Sequence, residues 1–108
     1  MAQFFLVITT FPDRKSAEKI CKILINENLA ACCQITSSIT SIYWWNKKIE
    51  RSKEYLCLIK TEKSVLEDVK KKIISNHPYE VPEIMCFKAD DIDKKYAKWI
   101  KQTIKKRG

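Results

Sequence analysis

The amino-acid sequence predicts an α+β sandwich whose elements run β-α-β-β-α-β, followed by an extra C-terminal helix. Three observations carry this. Short β-branched apolar runs alternate with segments whose apolar residues recur at helical spacing. Between the first two helical segments lies a stretch, 31–60, long enough for two strands and interrupted only at Asn46-Lys47. The chain also holds a single glycine, Gly108, so every internal turn must be made without one.

Phe4 to Thr10 is a continuous apolar, β-branched run of strand length, stopped by Pro12, after which Asp13 offers a helix N-cap. Ala17, Ile20, Cys21 and Leu24 then recur at helical spacing, with Arg14, Lys15, Glu18, Lys19 and Lys22 on the opposite side. Asn26–Asn28 predicts the helix end, since asparagine is the best substitute for glycine at a left-handed C-terminal position. Ala31 to Trp45 reads as an unusually long strand. Its parity changes: Cys33, Ile35 and Ile39 are odd, Ile42 and Trp44 are even, and Tyr43 and Trp45 are odd again. A bulge near Ser37–Ser41 or burial on both faces accounts for this.

Asn46-Lys47 predicts a tight turn, and Lys48 to Lys60 a second long strand pairing back on the first. Thr61 or Ser64 is expected to cap the next helix, with Ser64 and Glu67 spaced as a capping box. Val65, Val69 and Ile73 mark its buried stripe, and Pro78 ends it by disfavouring helical geometry at His77. Glu83 to Ala89 is a short strand. Asp91 or Asp93 then opens a final helix carrying Tyr96, Trp99, Ile100, Thr103 and Ile104 on one side. This order is the split βαβ arrangement of ferredoxin-like domains, and residues 1–108 make one such domain.

Composition excludes several functions. Without internal glycine there is no G-x-G-x-x-G and no Walker A loop, so dinucleotide-binding and P-loop chemistry are ruled out. No apolar run approaches the ~18–20 residues of a membrane span, and the start lacks a basic region, which together with the cysteine usage points to the cytoplasm. Five cysteines with no C-x-x-C pair read as reduced thiols, with Cys21, Cys57 and Cys86 as small buried hydrophobes. Lys and Arg number 21 against 13 Asp and Glu, a net charge of +8, but much of the excess sits in Lys94, Lys95, Lys98, Lys101, Lys105, Lys106 and Arg107. That pattern reads as a solvated helix face rather than a polyanion site. The same element order underlies the RRM, yet the strand Glu54 to Lys60 has no glycine and one aromatic, so no nucleic-acid partner is expected. No enzyme is expected either. His77 is the only imidazole and is far in sequence from every cysteine except Cys86, which reads as core, and no serine stands in a nucleophile elbow.

One feature does not suit a lone subunit. Arms of about thirteen residues at ~3.3 Å each project some 40 Å and put Tyr43, Trp44 and Trp45 in water. Another subunit is expected to cover them.

Leu29-Ala30-Ala31-Cys32, Ser41-Ile42-Tyr43-Trp44-Trp45, Glu54 with Ile59-Lys60-Thr61, His77-Pro78-Tyr79-Glu80-Val81-Pro82-Glu83, and Tyr96 with Trp99-Ile100 fall in a distinctive order and spacing. In these blocks, the sharpest being HPY-x-x-PE, the chain resembles the CutA divalent-cation-tolerance family over essentially its whole length. The resemblance implies a homotrimer of ferredoxin-like domains joined through the long hairpins, with Tyr43, Trp44 and Trp45 at the interface. It also implies a part in tolerance of copper and other divalent cations, with copper binding. In some members a cysteine ends the first strand and a second histidine precedes the HPY, and the copper attribution rests on them. Here those positions are Thr9 and Asn76, and Asn46-Lys47 replaces the family's usual glycine-containing turn.

A selective metal site wants three or four matched ligands. His77 and Cys32 are the candidate ligands for copper or another divalent cation, with Glu80 and Glu83 on the same loop as His77. Cys32 and Cys33, adjacent in a strand, point to opposite faces and do not grip one ion together. Lys60, Tyr79 and Glu83 are the candidate lining of a small-molecule cleft between subunits. Tyr96 and Trp99 are read as packing residues. A second reading is a trimeric sensor like the PII signalling proteins, which the family resembles in fold and assembly, although this chain has no long loop for nucleotide capture.

Overall fold

The sheet is organised by one strand long enough to pair with every other strand but the last. The computed structural model describes residues 2–104. Its elements are β1 (Phe4–Phe11), α1 (Arg14–Asn26), β2 (Cys32–Ile35), β3 (Ile39–Trp45), β4 (Lys48–Glu62), α2 (Leu66–Asn76), β5 (Met85–Lys88) and α3 (Lys94–Thr103), with a single 3₁₀ turn at Lys63–Val65. All pairings are antiparallel, in the order β2-β4-β1-β5, and β3 pairs with the far end of β4.

Local chemistry accounts for the boundaries. The Asp13 carboxylate accepts the Ser16 N–H at 2.7 Å, capping α1. Asn28 takes φ 57° after α1, and the Leu29 N–H closes on the Leu24 carbonyl at 2.9 Å. Asn46 and Lys47 take φ 50° and 63°, the paired positive values of a type I′ hairpin turn. Asp93 caps α3 by accepting the Tyr96 N–H at 3.0 Å.

The expected first arm of the hairpin is two strands rather than one. Ile35 pairs with Cys57 and Ile39 with Glu54, so four steps on the first arm oppose three on β4. One extra residue is accommodated across Thr36–Ser38, a bulge at the edge of the region where the parity change called for it. Thr36 closes it, donating its N–H to the Leu56 carbonyl at 2.9 Å and accepting the Leu56 N–H on Oγ1 at 3.1 Å.

The capping box at α2 does not form. β4 runs on to Glu62, so Ser64 falls inside the 3₁₀ turn and its hydroxyl donates to Glu62 Oε1 at 2.9 Å. Val65 is the N-cap and supplies no side-chain bond, while Glu67 pairs with Lys70 at 3.2 Å.

The core lies between one face of the sheet and helices α1 and α2. Val7, Phe11, Cys57 and Ile59 meet Ala17, Ile20, Leu24, Val69 and Ile73, all buried. Cys21 and Cys57 are buried as expected, and Cys86 is half-buried. The opposite face is less covered: Leu6, Ile8, Leu56 and Leu58 are half-buried, and Phe87 and Met85 are exposed. Trp99 is exposed beside Tyr96, their rings stacked at 5.6 Å. Lys105, Lys106 and Arg107 lie outside the described residues.

Candidate functional site

The loop between α2 and β5 is fixed by its histidine. Pro78 holds His77 in an extended conformation, φ −85° and ψ 137°, which swings the imidazole toward the end of β1. His77 Nε2 lies 2.7 Å from the Thr10 carbonyl oxygen, and Nδ1 accepts the Tyr79 N–H at 3.1 Å. A carbonyl can only accept, so these partners assign the proton to Nε2. The ring stacks on Phe11 at 4.2 Å. Burial pulls the His77 pKa below its ordinary value, against the opposing effects of the Thr10 carbonyl and the Glu54 charge. Both nitrogens of the neutral ring are thus engaged in holding the loop.

The anchored loop sends Tyr79 across to the root of the hairpin. Its hydroxyl donates to Glu54 Oε2 at 2.9 Å. Glu54 is 8% exposed, a low value for a carboxylate. Burial, then the bond to Glu54 and its charge, push the Tyr79 pKa well above the usual phenol range, so the hydroxyl keeps its proton.

Around this pair lies a cavity of about 630 Å³. β1 contributes Thr10, β3 contributes Ser41, Ile42, Tyr43 and Trp45, β4 contributes Glu54, and the loop contributes Pro78, Tyr79, Glu80, Val81 and Glu83. The bulge sets which β3 side chains share a face with Glu54. With Ile39 opposite Glu54, the odd-numbered side chains Ser41, Tyr43 and Trp45 fall on the Glu54 face. Tyr43 Oη lies 3.2 Å from Ser52 Oγ on that same face. Ile42 and Trp44 project from the other face of the ribbon beside Ile49, exposed at 64%, 71% and 64%.

Four of the residues singled out in the sequence therefore meet at one cavity: Tyr43, Trp45, Tyr79 and Glu83. Lys60 stands apart, with Nζ 5.7 Å from the Tyr96 ring centroid at the opposite end of the sheet. His77 touches Thr10, which pairs with Leu56, whereas Cys32 pairs with Lys60. Four residues of strand separate those levels, ~13 Å at ~3.3 Å per residue, so His77 and Cys32 do not meet within one subunit. Sequence reading missed Glu54 as a site residue. It shares even parity with Leu56 and Leu58, and a carboxylate in line with an apolar face was the available signal.

With this geometry in view, comparison with known proteins is decisive: residues 5–103 match the family described as CutA1 divalent ion tolerance protein. The chain belongs to that family. A relative named "Divalent-cation tolerance protein CutA" from Pyrococcus horikoshii is 42% identical over 101 residues, covering 94% of this chain and 98% of the relative. The crystal structure of CutA1 from Oryza sativa superposes with a TM-score of 0.93 at 31% identity, covering 97% of this chain and 96% of that one. The Archaeoglobus fulgidus CutA, described as a periplasmic divalent cation tolerance protein, gives a TM-score of 0.89 at 31% identity, covering 97% and 100%.

The family name raises the question of a metal centre. Among the described residues no group of three or more His, Cys, Asp or Glu side chains is placed to hold a metal ion. The hydroxyl of Thr9 is buried and has no hydrogen-bond partner among the described residues. Both nitrogens of His77 are spoken for. The donors around the HPY loop do not fit a copper centre within one subunit.

Proposed function

We propose that this chain acts as a divalent-cation tolerance protein in the form of a homotrimer joined through its β3–β4 ribbons. The observation that carries the reading is the apolar surface left uncovered in one subunit. Ile42, Trp44 and Ile49 line one face of the ribbon, and Met85 and Phe87 border the half-buried Leu6, Ile8, Leu56 and Leu58 of the sheet. The two apolar patches lie on opposite faces, and uncovered apolar patches of this kind mark interaction surfaces. Tyr43, Trp44 and Trp45 are read as interface residues, and the number three follows from the resemblance. Sedimentation at micromolar concentration is the test. A trimer that dissociates on Trp44→Glu supports the reading, and a well-folded wild-type monomer overturns it.

The cavity favours a second reading, a trimeric sensor of the PII kind that takes a small ligand at an intersubunit cleft. Tyr79 and Glu83 line the cavity already, and in this reading Lys60 reaches it only from a neighbouring subunit. Thermal-shift measurement with nucleotides and with divalent metals separates the readings, because a ligand selective for the folded state raises Tm.

Copper or another divalent cation is retained as the metal partner, with His77 and Cys32 as the residues to test. Stoichiometric copper binding that survives His77→Ala and Cys32→Ser removes both as ligands. No catalysis and no nucleic-acid partner is proposed. No helix among the described residues is long and apolar enough to cross a membrane. Cytoplasmic residence is proposed on the five free thiols.

A further inference from the structure

The cavity wall carries charge of the opposite sign to the chain as a whole. Glu54, Glu80 and Glu83 stand in it, and among the described residues no Lys, Arg or His does, although the chain's net charge is +8. Much of the remaining wall is aromatic: Tyr43 and Trp45 from β3, exposed at 41% and 49%, and Tyr79 from the loop. The three carboxylates are not alike. Glu80 and Glu83 are exposed, whereas Glu54 is only 8% exposed. Its Oε2 takes the Tyr79 hydroxyl at 2.9 Å, while Oε1 accepts no hydrogen bond from any described residue and no Lys or Arg among them pairs with the group. A buried carboxylate oxygen left in this state is unfavourable until a donor reaches it, and the cavity is the space beside it.

We propose that the cavity binds a protonated primary amine, the ammonium group donating to Glu54 Oε1 and the carbon chain lying against Tyr43 and Trp45. The inference rests on the small-ligand reading of the cavity and gives that reading a ligand class. An alkylamine, with a pKa near the ~10.4 of a lysine side chain, is cationic at neutral pH and brings N–H donors. The faces of Trp and Tyr rings attract a cation, and their apolar bodies cover methylene groups.

Other ligand classes suit the wall less well. A hard metal ion wants six or more oxygen ligands, and no three acidic, histidine or cysteine side chains among the described residues are placed to hold one. An ammonium group asks for one good acceptor and a wall that tolerates positive charge, which Glu54 and the rings supply. An anion such as a nucleotide phosphate meets three carboxylates and no cationic side chain of the same subunit. At about 630 Å³ the space admits a chain of several carbons together with water.

Isothermal titration of the full chain, in the assembly it forms in solution, tests this with n-butylammonium as the probe and n-butanol and butyrate as controls of equal length. The expected result is saturable binding of butylammonium alone, weakened by added sodium chloride. Affinity should fall at least about tenfold in Glu54→Gln, whose amide oxygen still accepts from Tyr79 but carries no charge, and should be unchanged in Glu67→Gln on α2. Unchanged affinity in Glu54→Gln, an equal loss in Glu67→Gln, or equal binding of butanol or butyrate overturns the proposal. Should Glu54→Gln fail to fold, intermolecular NMR contacts in the wild type decide. Transfer between the butyl protons and the Trp45 indole supports the site, and transfer confined to other residues overturns it. Nucleotides in the same titration separate the two levels of the argument. A nucleotide that saturates while butylammonium does not overturns the amine and leaves the small-ligand reading standing, and no binding by any probe overturns both.

Discussion

The Tyr79 hydroxyl donates a 2.9 Å hydrogen bond to Glu54 Oε2, tying the loop after α2 to the root of the long hairpin. The bond fastens two stretches 25 residues apart in sequence, and both of its residues line the cavity. Without it the carboxylate of Glu54, 8% exposed, loses its phenol partner.

Tyr79→Phe is therefore expected to destabilise the chain by ~1–3 kcal/mol, the cost of leaving a buried acceptor short of a donor. Urea denaturation of wild type and variant measures it. A difference within error would show that Glu54 finds another partner.

His77 predicts a pH dependence with a definite sign. Burial lowers its folded pKa, so the unfolded imidazole, near ~6.5, binds its proton more readily. Stability from this group is complete above pH ~6.5 and is lost as pH falls through the lower folded value. His77 is the only histidine, so its proton resonance titrates without overlap and should show a midpoint below that of a model peptide. In His77→Gln the corresponding part of the acid destabilisation should vanish.

The buried Thr9 hydroxyl on the helix-facing side of β1 has no hydrogen-bond partner among the described residues. Thr9→Val replaces that hydroxyl with a methyl of the same shape, and stability should rise by ~1 kcal/mol, since an unsatisfied buried donor is a cost removed. A loss of stability on thermal melting would reveal a hidden partner such as an ordered water.

Lys47 occupies a left-handed conformation, φ 63°, without the freedom of glycine. Lys47→Gly should stabilise the folded state by up to ~1 kcal/mol, because the left-handed region costs a residue with a Cβ about that much. Lys47→Val should destabilise it instead. Chemical denaturation of the two variants reads the difference.

Much of the fold was legible from the chain alone because its causes are local. The cap at Asp13, the left-handed Asn28 and the positive-φ pair Asn46 and Lys47 each need only near neighbours, whereas the face change falls before Ile39, which parity had grouped with Cys33 and Ile35. Ser64 shows the limit of local reasoning: its spacing to Glu67 suits a cap, but β4 extends to Glu62 to complete its ladder with Phe4 and turns Ser64 toward Glu62. At the site, the sequence marked Tyr79 and Glu83 as cleft residues and Tyr43 and Trp45 as interface residues. Their convergence, the exclusion of Lys60, and the role of Glu54 depend on strand register, where a single extra residue at Thr36–Ser38 sets which β3 side chains share a face with Glu54. The thiol contact of Cys21 with Cys57 likewise spans 36 positions and exists only once α1 lies on the sheet. Sequence sets what each segment prefers through short-range sterics and capping; which distant side chains become neighbours is set by packing, because that depends on how the segments dock together.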